Sequence, residues 1–372
     1  MISALILDQL AREIASDWKA ASAVVVAGAV RRGPRWSTAV GAAGRVGCVE
    51  GAAGVTSSTW FDLASLTKPI TALCIARLAR AGKLTLDTPL AVLLPTLGAT
   101  ASGGLPIELL LAHRAGLEAH RSLYRDLLRG QFTDRAAALV EAASARRPET
   151  ATAVPVGGFE PLYSDLGYLV VGEAIARATG QELDAALYEH VIAPLGAAIG
   201  SARQLRARDA CFERRVAATE IVPWRGGVLR GLVHDENAWF WSAEGSSGHA
   251  GLFGNATGVL DLGQAIVDVL HGRLGSFLTK DEIWPLVKPR PGGTLRAGFD
   301  GKSAVGSSSG SAFGPSTIGH LGFTGTSLWC DVDREMVGVL LTNRVHPTRD
   351  NDIIRKVRPF VYDRIGQWAG RR

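Results

Sequence analysis

Phe61-Asp62-Leu63-Ala64-Ser65-Leu66-Thr67-Lys68-Pro69-Ile70 is the stretch on which the fold of this chain turns. A helix beginning here puts Ser65 and Lys68 on one face, one above the other. The lysine nitrogen then approaches the serine oxygen. The first helical turn also offers free backbone N–H groups and a positive dipole end, which ease loss of the serine proton. Pro69 falls near that turn, where a missing N–H does little harm. Ile70, Leu73, Cys74 and Leu78 continue at helical spacing and anchor the helix in a core.

Ser-x-x-Lys alone is a weak signal. Ser16 and Lys19 make a second such pair, on the polar face of an amphipathic N-terminal helix over residues 3–20. Ser65 therefore needs partners elsewhere in the chain.

Composition narrows the search. The chain has 372 residues, 47% hydrophobic and 20% charged, enough to bury a sizeable core. Its net charge of +5 is carried by scattered arginines, with only short clusters at Arg31-Arg32 and Arg146-Arg147. No basic stripe interleaved with aromatics appears, which argues against nucleic acid as a partner. Cys48, Cys74, Cys211 and Cys330 form no Cys-x-x-Cys pair and read as free thiols in a reducing compartment. The N-terminus lacks a basic region followed by an apolar run, and no uncharged stretch reaches the length of a membrane span. A cytoplasmic protein is the expectation. His113 with His120, or His234, Asp235 and Glu236 with His249, lack metal-site spacing, so neither a metal nor another cofactor is implied.

Along the chain, Ala23 to Val30 reads as a buried strand, with a partner over Trp36 to Val49. The Ser65 helix ends at Gly82, a good C-cap. Helical patterns follow at 107–111, 123–128, 136–145, 166–179 and 183–190. Val259 to Leu270 is a further helix, Met336 to Thr342 a strand, and Asp352 to Trp368 a closing helix. Sheet elements at both ends with helices between predict one sheet built from both termini. Residues 1–82 and 240–372 form its unit, and 83–239 a mainly helical one, with the site in the cleft between them.

Two stretches supply the partners. Pro161-Leu162-Tyr163-Ser164-Asp165 places a tyrosine just before a helix, where a phenol beside an ammonium can act as a base. Gly319-His320-Leu321-Gly322-Phe323-Thr324-Gly325 lets a ligand approach a strand backbone closely and meet a backbone N–H.

Phe61 to Lys68, Tyr163-Ser164-Asp165 and His320-Leu321-Gly322 resemble, in order, the Ser-x-x-Lys, Tyr-x-Asn and Lys-Thr-Gly motifs of the serine β-lactamase and penicillin-binding protein superfamily. The chain is most similar to its class C-like branch of esterases, D-aminopeptidases and β-lactamase-related proteins. Leu110 to Leu117 and Gly248-His249-Ala250-Gly251-Leu252-Phe253 add local matches. The resemblance implies an α+β, β-lactamase/transpeptidase-like fold: an antiparallel sheet flanked by helices, plus a helical domain. It implies a serine hydrolase working through a covalent acyl-enzyme on a small-molecule ester or amide, β-lactams and D-amino-acid peptides included. Ser65 is then the nucleophile. Lys68, with its pKa lowered by burial and positive potential, takes the serine proton, and Tyr163 shares that role. Backbone N–H groups of Ser65 and Phe323 hold the oxyanion, while Asp165, His320, Gly322 and Thr324 face the substrate.

Two departures shift the expected substrate. Asp165 replaces the usual Asn and adds negative charge. His320 replaces the usual Lys and is largely neutral near pH 7, a weaker anchor for a substrate carboxylate. Esterase-like activity is favoured accordingly. Trp224 and the run Trp239-Phe240-Trp241 suggest an apolar wall for an acyl or aromatic group. Gly306-Ser307-Ser308-Ser309-Gly310 fits the nucleophile elbow of α/β-hydrolases, but Gly314-Pro315 follows too soon for the required helix. The non-enzymatic alternative is a binding or sensor module that keeps the β-lactamase fold. Intact Ser65, Lys68 and Tyr163 argue against it.

Overall fold

The computed structural model describes residues 3–48, 51–132 and 134–370. Val49, at the end of the expected second strand, lies outside them. Eleven strands occur among the described residues: β1 (Ala23–Arg32), β2 (Arg35–Gly44), β3 (Phe61–Asp62), β4 (Ile199–Ser201), β5 (Ala218–Val222), β6 (Gly227–Arg230), β7 (Leu252–Gly254), β8 (Asp300–Gly301), β9 (Ile318–Leu321), β10 (Ser327–Asp331) and β11 (Met336–Thr342). The main sheet runs β2-β1-β11-β10-β9-β8 and is antiparallel throughout. Strands from both ends of the sequence thus meet at the β1–β11 pair, where Val24 opposes Thr342 and Val30 opposes Met336.

The run Ala23 to Val30 is apolar at every position because this strand is covered on both faces. Side chains alternate across a strand. Val24, Val26 and Val30 join Leu7, Leu10 and Ile14 of the Ala4–Ser16 helix and Val357, Val361 and Ile365 of the Ile354–Gly370 helix. Ala23, Val25, Ala27 and Ala29 join the larger core on the other face, with Ile70 and Leu73 of the Thr67–Arg80 helix and Val259 and Ile266 of the Ala256–Leu270 helix. Met336 and Leu340 of β11 split from Val337, Val339 and Leu341 in the same way.

The Thr67–Arg80 helix is buried on nearly every side, from Thr67 through Ala76. A helix apolar all round belongs inside a core, which fixes its first turn relative to the sheet. Two short sheets, β3-β7-β4 and β5-β6, stand apart from the main one. The expected helix over 123–128 is instead a loop followed by a 3-10 turn at Leu127–Arg129, with the Leu123 N–H bonded to the Asn237 side chain and the Leu127 N–H to the Tyr124 carbonyl three residues back. Among the described residues, no helix is long and apolar enough to cross a membrane.

Candidate active site

Asp62 sets the turn that delivers Ser65. Its buried carboxylate accepts the Ala64 N–H at 2.8 Å and the His234 N–H at 2.7 Å. The first bond closes an Asx turn and holds Ala64 at φ +46°, a conformation a non-glycine residue adopts only when its surroundings impose it. Ser65 then sits in the 3-10 turn Ala64–Leu66 that leads directly into the Thr67–Arg80 helix. Burial raises the Asp62 pKa, although both N–H groups oppose the shift.

Lys68 is fully buried and all its hydrogen-bonding capacity is engaged. Its Nζ donates to Ser65 Oγ at 2.9 Å, to Asp165 Oδ1 at 2.6 Å and to the His249 carbonyl at 3.2 Å. Burial alone would lower its pKa, as the sequence led us to expect. The structure corrects that expectation: the charge and hydrogen bond of the Asp165 carboxylate oppose burial and the net shift is upward. Lys68 is an ammonium at rest.

Asp165 opens the Asp165–Thr179 helix, where the N-terminal dipole favours its charge. Its N–H bonds the Ala119 carbonyl, and the Ser164 hydroxyl bonds the Glu118 carbonyl, so the helix start is tied to the preceding loop. Asp165 lines the cavity, but its charge is matched by Lys68 rather than offered bare to a substrate.

Tyr163 lies beside the ammonium, with Lys68 Nζ 4.8 Å from the ring centroid. Its hydroxyl is close enough to Lys68 and Ser65 for both to draw its pKa down, yet burial prevails and the net shift is upward. The resting phenol is protonated, which corrects the expectation of a ready base. His113, at φ +60°, brackets this residue from behind. Its carbonyl accepts Leu162 N–H at 3.1 Å, its Nδ1 accepts Ser164 N–H at 3.0 Å, and its ring lies 4.7 Å from that of Tyr163. Burial and the Lys68 charge push the His113 pKa well down, so Nδ1 stays free to accept.

On the sheet side, His320 is the penultimate residue of β9, with its Nδ1 bonded to the Leu321 carbonyl at 2.9 Å. Burial first, and then Lys68, pushes its pKa down to about 3, which makes it neutral as expected. Gly322 follows. A Cβ there would lie 2.0 Å from Thr326 Oγ1 and 2.6 Å from the Leu63 carbonyl, so only glycine lets this edge close against the Ser65 turn. The Phe323 N–H takes no backbone acceptor among the described residues, and its residue is half-exposed over the cavity. Thr324 departs from expectation. It is buried outside the cavity wall because its hydroxyl donates to the Asp62 carbonyl at 2.7 Å.

Ser65, Tyr163, Asp165, His320, Gly322 and Phe323 all line one cavity of about 820 Å³. Lys68 supports it from beneath. The supporting roles of Asp62, His113 and Asp235 escape motif reading. Asp235 Oδ1 holds His249 Nε2 at 2.9 Å, which fixes the residue whose carbonyl receives Lys68. The Asp62-Leu63-Ala64 spacing was a visible Asx-turn signal; Asp235 and His249 were weighed together only as metal ligands, and no spacing marked them as a hydrogen-bonded pair. Of the suggested aromatic wall, Trp224 packs with Trp239, while Phe240 and Trp241 line a separate cavity beside Glu173 and Arg135.

The chain is similar to known proteins in sequence and in fold. A protein named putative D-alanyl-D-alanine carboxypeptidase, from Escherichia coli (strain K12), is 28% identical over 313 residues, covering 78% of this chain and 70% of its own. One named N-acetylmuramyl-L-alanine amidase, from Bacillus subtilis (strain 168), is 29% identical over 315 residues, covering 77% and 68%. The structure described as "EstCE1, a hydrolase with promiscuous acyltransferase activity" shares the fold at a TM-score of 0.68 and 20% identity, over 96% of this chain and 97% of its own. The family model described as Beta-lactamase matches residues 10–360, a range that contains every element of the site just described. The chain belongs to the beta-lactamase family.

Proposed function

We propose that this protein hydrolyses small acyl substrates through a covalent intermediate on Ser65, with esters preferred over β-lactams and D-amino-acid amides. The observation that carries the reading is the Lys68 ammonium shared between Ser65 Oγ and Asp165, with Tyr163 alongside. The reacting form is the one in which the Lys68–Tyr163 pair has lost one proton. Ser65 Oγ then bonds to the substrate carbonyl carbon as its own proton passes to that pair. The Ser65 and Phe323 N–H groups take the carbonyl oxygen as it becomes negative. The tetrahedral centre collapses, the bond to the leaving alcohol breaks, and the alcohol departs with the proton. Water repeats the sequence and frees the acid.

The ester preference rests on His320. It is neutral, and an ester offers a better leaving group than an amide while needing no anchored carboxylate. The names of the two curated relatives keep amide substrates in view. We also read residues 1–82 and 240–372 as the sheet unit and 83–239 as the mainly helical one. In support, Ser65 and His320 come from the first and Tyr163 and Asp165 from the second. Intact protein treated with a fluorophosphonate should carry one adduct, on Ser65 by peptide mass spectrometry. Undiminished labelling of Ser65→Ala would overturn the assignment.

A further inference from the structure

A row of aromatic rings in mutual contact runs beside the cavity, and Phe323, His234 and Tyr124 of that row line it. It starts at Phe323, the proposed oxyanion donor, whose ring stacks on that of His234 at 5.7 Å and 22°. Arg225 ties the next section to this one. Its guanidinium donates to the carbonyls of His234 at 2.9 Å and Val233 at 2.7 Å, and lies 4.3 Å from the Trp239 ring centroid. Trp239 meets Trp224 edge to face at 5.8 Å and 74°. Trp224 in turn lies flat against Tyr124 at 5.7 Å and 5°, and Tyr124 is itself part of the cavity lining.

The row is braced, with the Arg344 guanidinium 4.4 Å over the Phe323 ring, but it is only partly covered. Trp224 sits in the turn between β5 and β6 and remains 43% exposed, and Phe323 remains 50% exposed. A large aromatic left in water forgoes a substantial burial gain. Trp224 has few ways to recover that gain by moving, because Tyr124 and Trp239 hold it on two sides. A ring fixed in advance loses little entropy when a ligand lands on it. An aliphatic ligand would gain from area alone, whereas a flat ring would also gain from offset stacking.

We propose that this shelf, centred on Trp224 and running in to Phe323, binds a planar aromatic ring of the acyl substrate. The inference rests on the acyl-enzyme reading and narrows it to aryl-bearing substrates. The test compares nitrophenyl acetate, cyclohexylacetate and phenylacetate, together with matched benzyl and cyclohexylmethyl acetates. Turnover of nitrophenyl acetate by the unaltered protein tests the Ser65 chemistry by itself. The shelf is tested by ratios. On one of the two arms, phenyl should exceed cyclohexyl in kcat/KM by about three- to tenfold. The ratio should fall to about one in Trp224→Leu and survive in Trp224→Tyr, which keeps a flat ring. Tyr124→Leu, which loosens the stack from its other side, should lower the same ratio and serves if Trp224→Leu does not fold. A cyclohexyl preference, equal rates on both arms, or a phenyl preference that persists in both leucine variants would overturn the proposal.

Discussion

Lys68 Nζ stands 2.6 Å from Asp165 Oδ1, closer than it stands to the serine it is expected to deprotonate. That contact decides the proton inventory of the site. A carboxylate in place of a neutral amide holds the lysine charged, and the protonated phenol of Tyr163 offers no strong base either. The reacting form must therefore be a minority at neutral pH, and its share must grow as pH rises. Ester hydrolysis should climb toward alkaline pH. In Asp165→Asn the charge that raises the Lys68 pKa is gone, so the ascending limb of kcat/KM should move to lower pH. A pH profile of the two proteins checks this. An unmoved limb would mean that Lys68 does not control it.

His113 should act on rate through Tyr163. In His113→Phe the ring still packs, but Ser164 N–H loses its acceptor in a buried place, at a cost of about 1–3 kcal/mol. Part of that falls on stability and part on the placing of the phenol. The expected result is a folded protein with kcat lowered by about tenfold or more and KM little changed. Equal losses in kcat and in the folded fraction would reduce His113 to a purely structural part.

Gly322→Ala should damage both the fold and the site. Its Cβ would press on Thr326 Oγ1 and on the Leu63 carbonyl, and the second of these is backbone of the Ser65 turn itself. Overpacking of this kind costs about 1–3 kcal/mol. It also pushes the Phe323 N–H away from the Ser65 N–H, so fluorophosphonate labelling should slow by more than the lost stability explains. Thermal unfolding alongside labelling rates separates the two effects.

Much of this was legible in the sequence because it is local or periodic. The apolar run at Ala23 to Val30 announced a strand covered on both faces, and the Thr67–Arg80 helix announced itself by Ser65, Lys68 and an apolar continuation. Short fixed spacings identified Tyr163, His320 and Gly322. The proton balance could not be read that way. Whether Lys68 is raised or lowered depends on burial against the distance to Asp165, 97 positions along the chain. Thr324 is a related case. The family resemblance put it toward the substrate, while its hydroxyl donates to the Asp62 carbonyl, 262 positions away. The run Trp239-Phe240-Trp241 does not act as one wall: it lies in the helix Glu236–Ser242, where Trp239 turns to Trp224 while Phe240 and Trp241 line a separate cavity.

The substrate preference turns on position 320. A cephalosporin carries a carboxylate near its scissile amide, and members of this family that hydrolyse such drugs are expected to meet it with a lysine there. His320 is uncharged, and the neighbouring Lys68 is one reason for that. Losing a charge-assisted contact costs about 1.5–3 kcal/mol, or roughly ten- to a hundredfold in kcat/KM. A neutral nitrophenyl ester has nothing to lose from the change, so it should exceed a chromogenic cephalosporin in the unaltered protein. His320→Lys should narrow the gap chiefly by raising cephalosporin turnover. The new ammonium would also stand near Lys68 and lower its pKa, so both substrates should show an ascending limb displaced to lower pH. The ratio must therefore be taken on the plateau of each profile. Arg344 and Arg349 line the same cavity. If the cephalosporin already wins in the unaltered protein, the argument from His320 fails and those arginines become the anchors to test. If the ratio stays put in His320→Lys, the side chain at 320 does not read the substrate's charge at all.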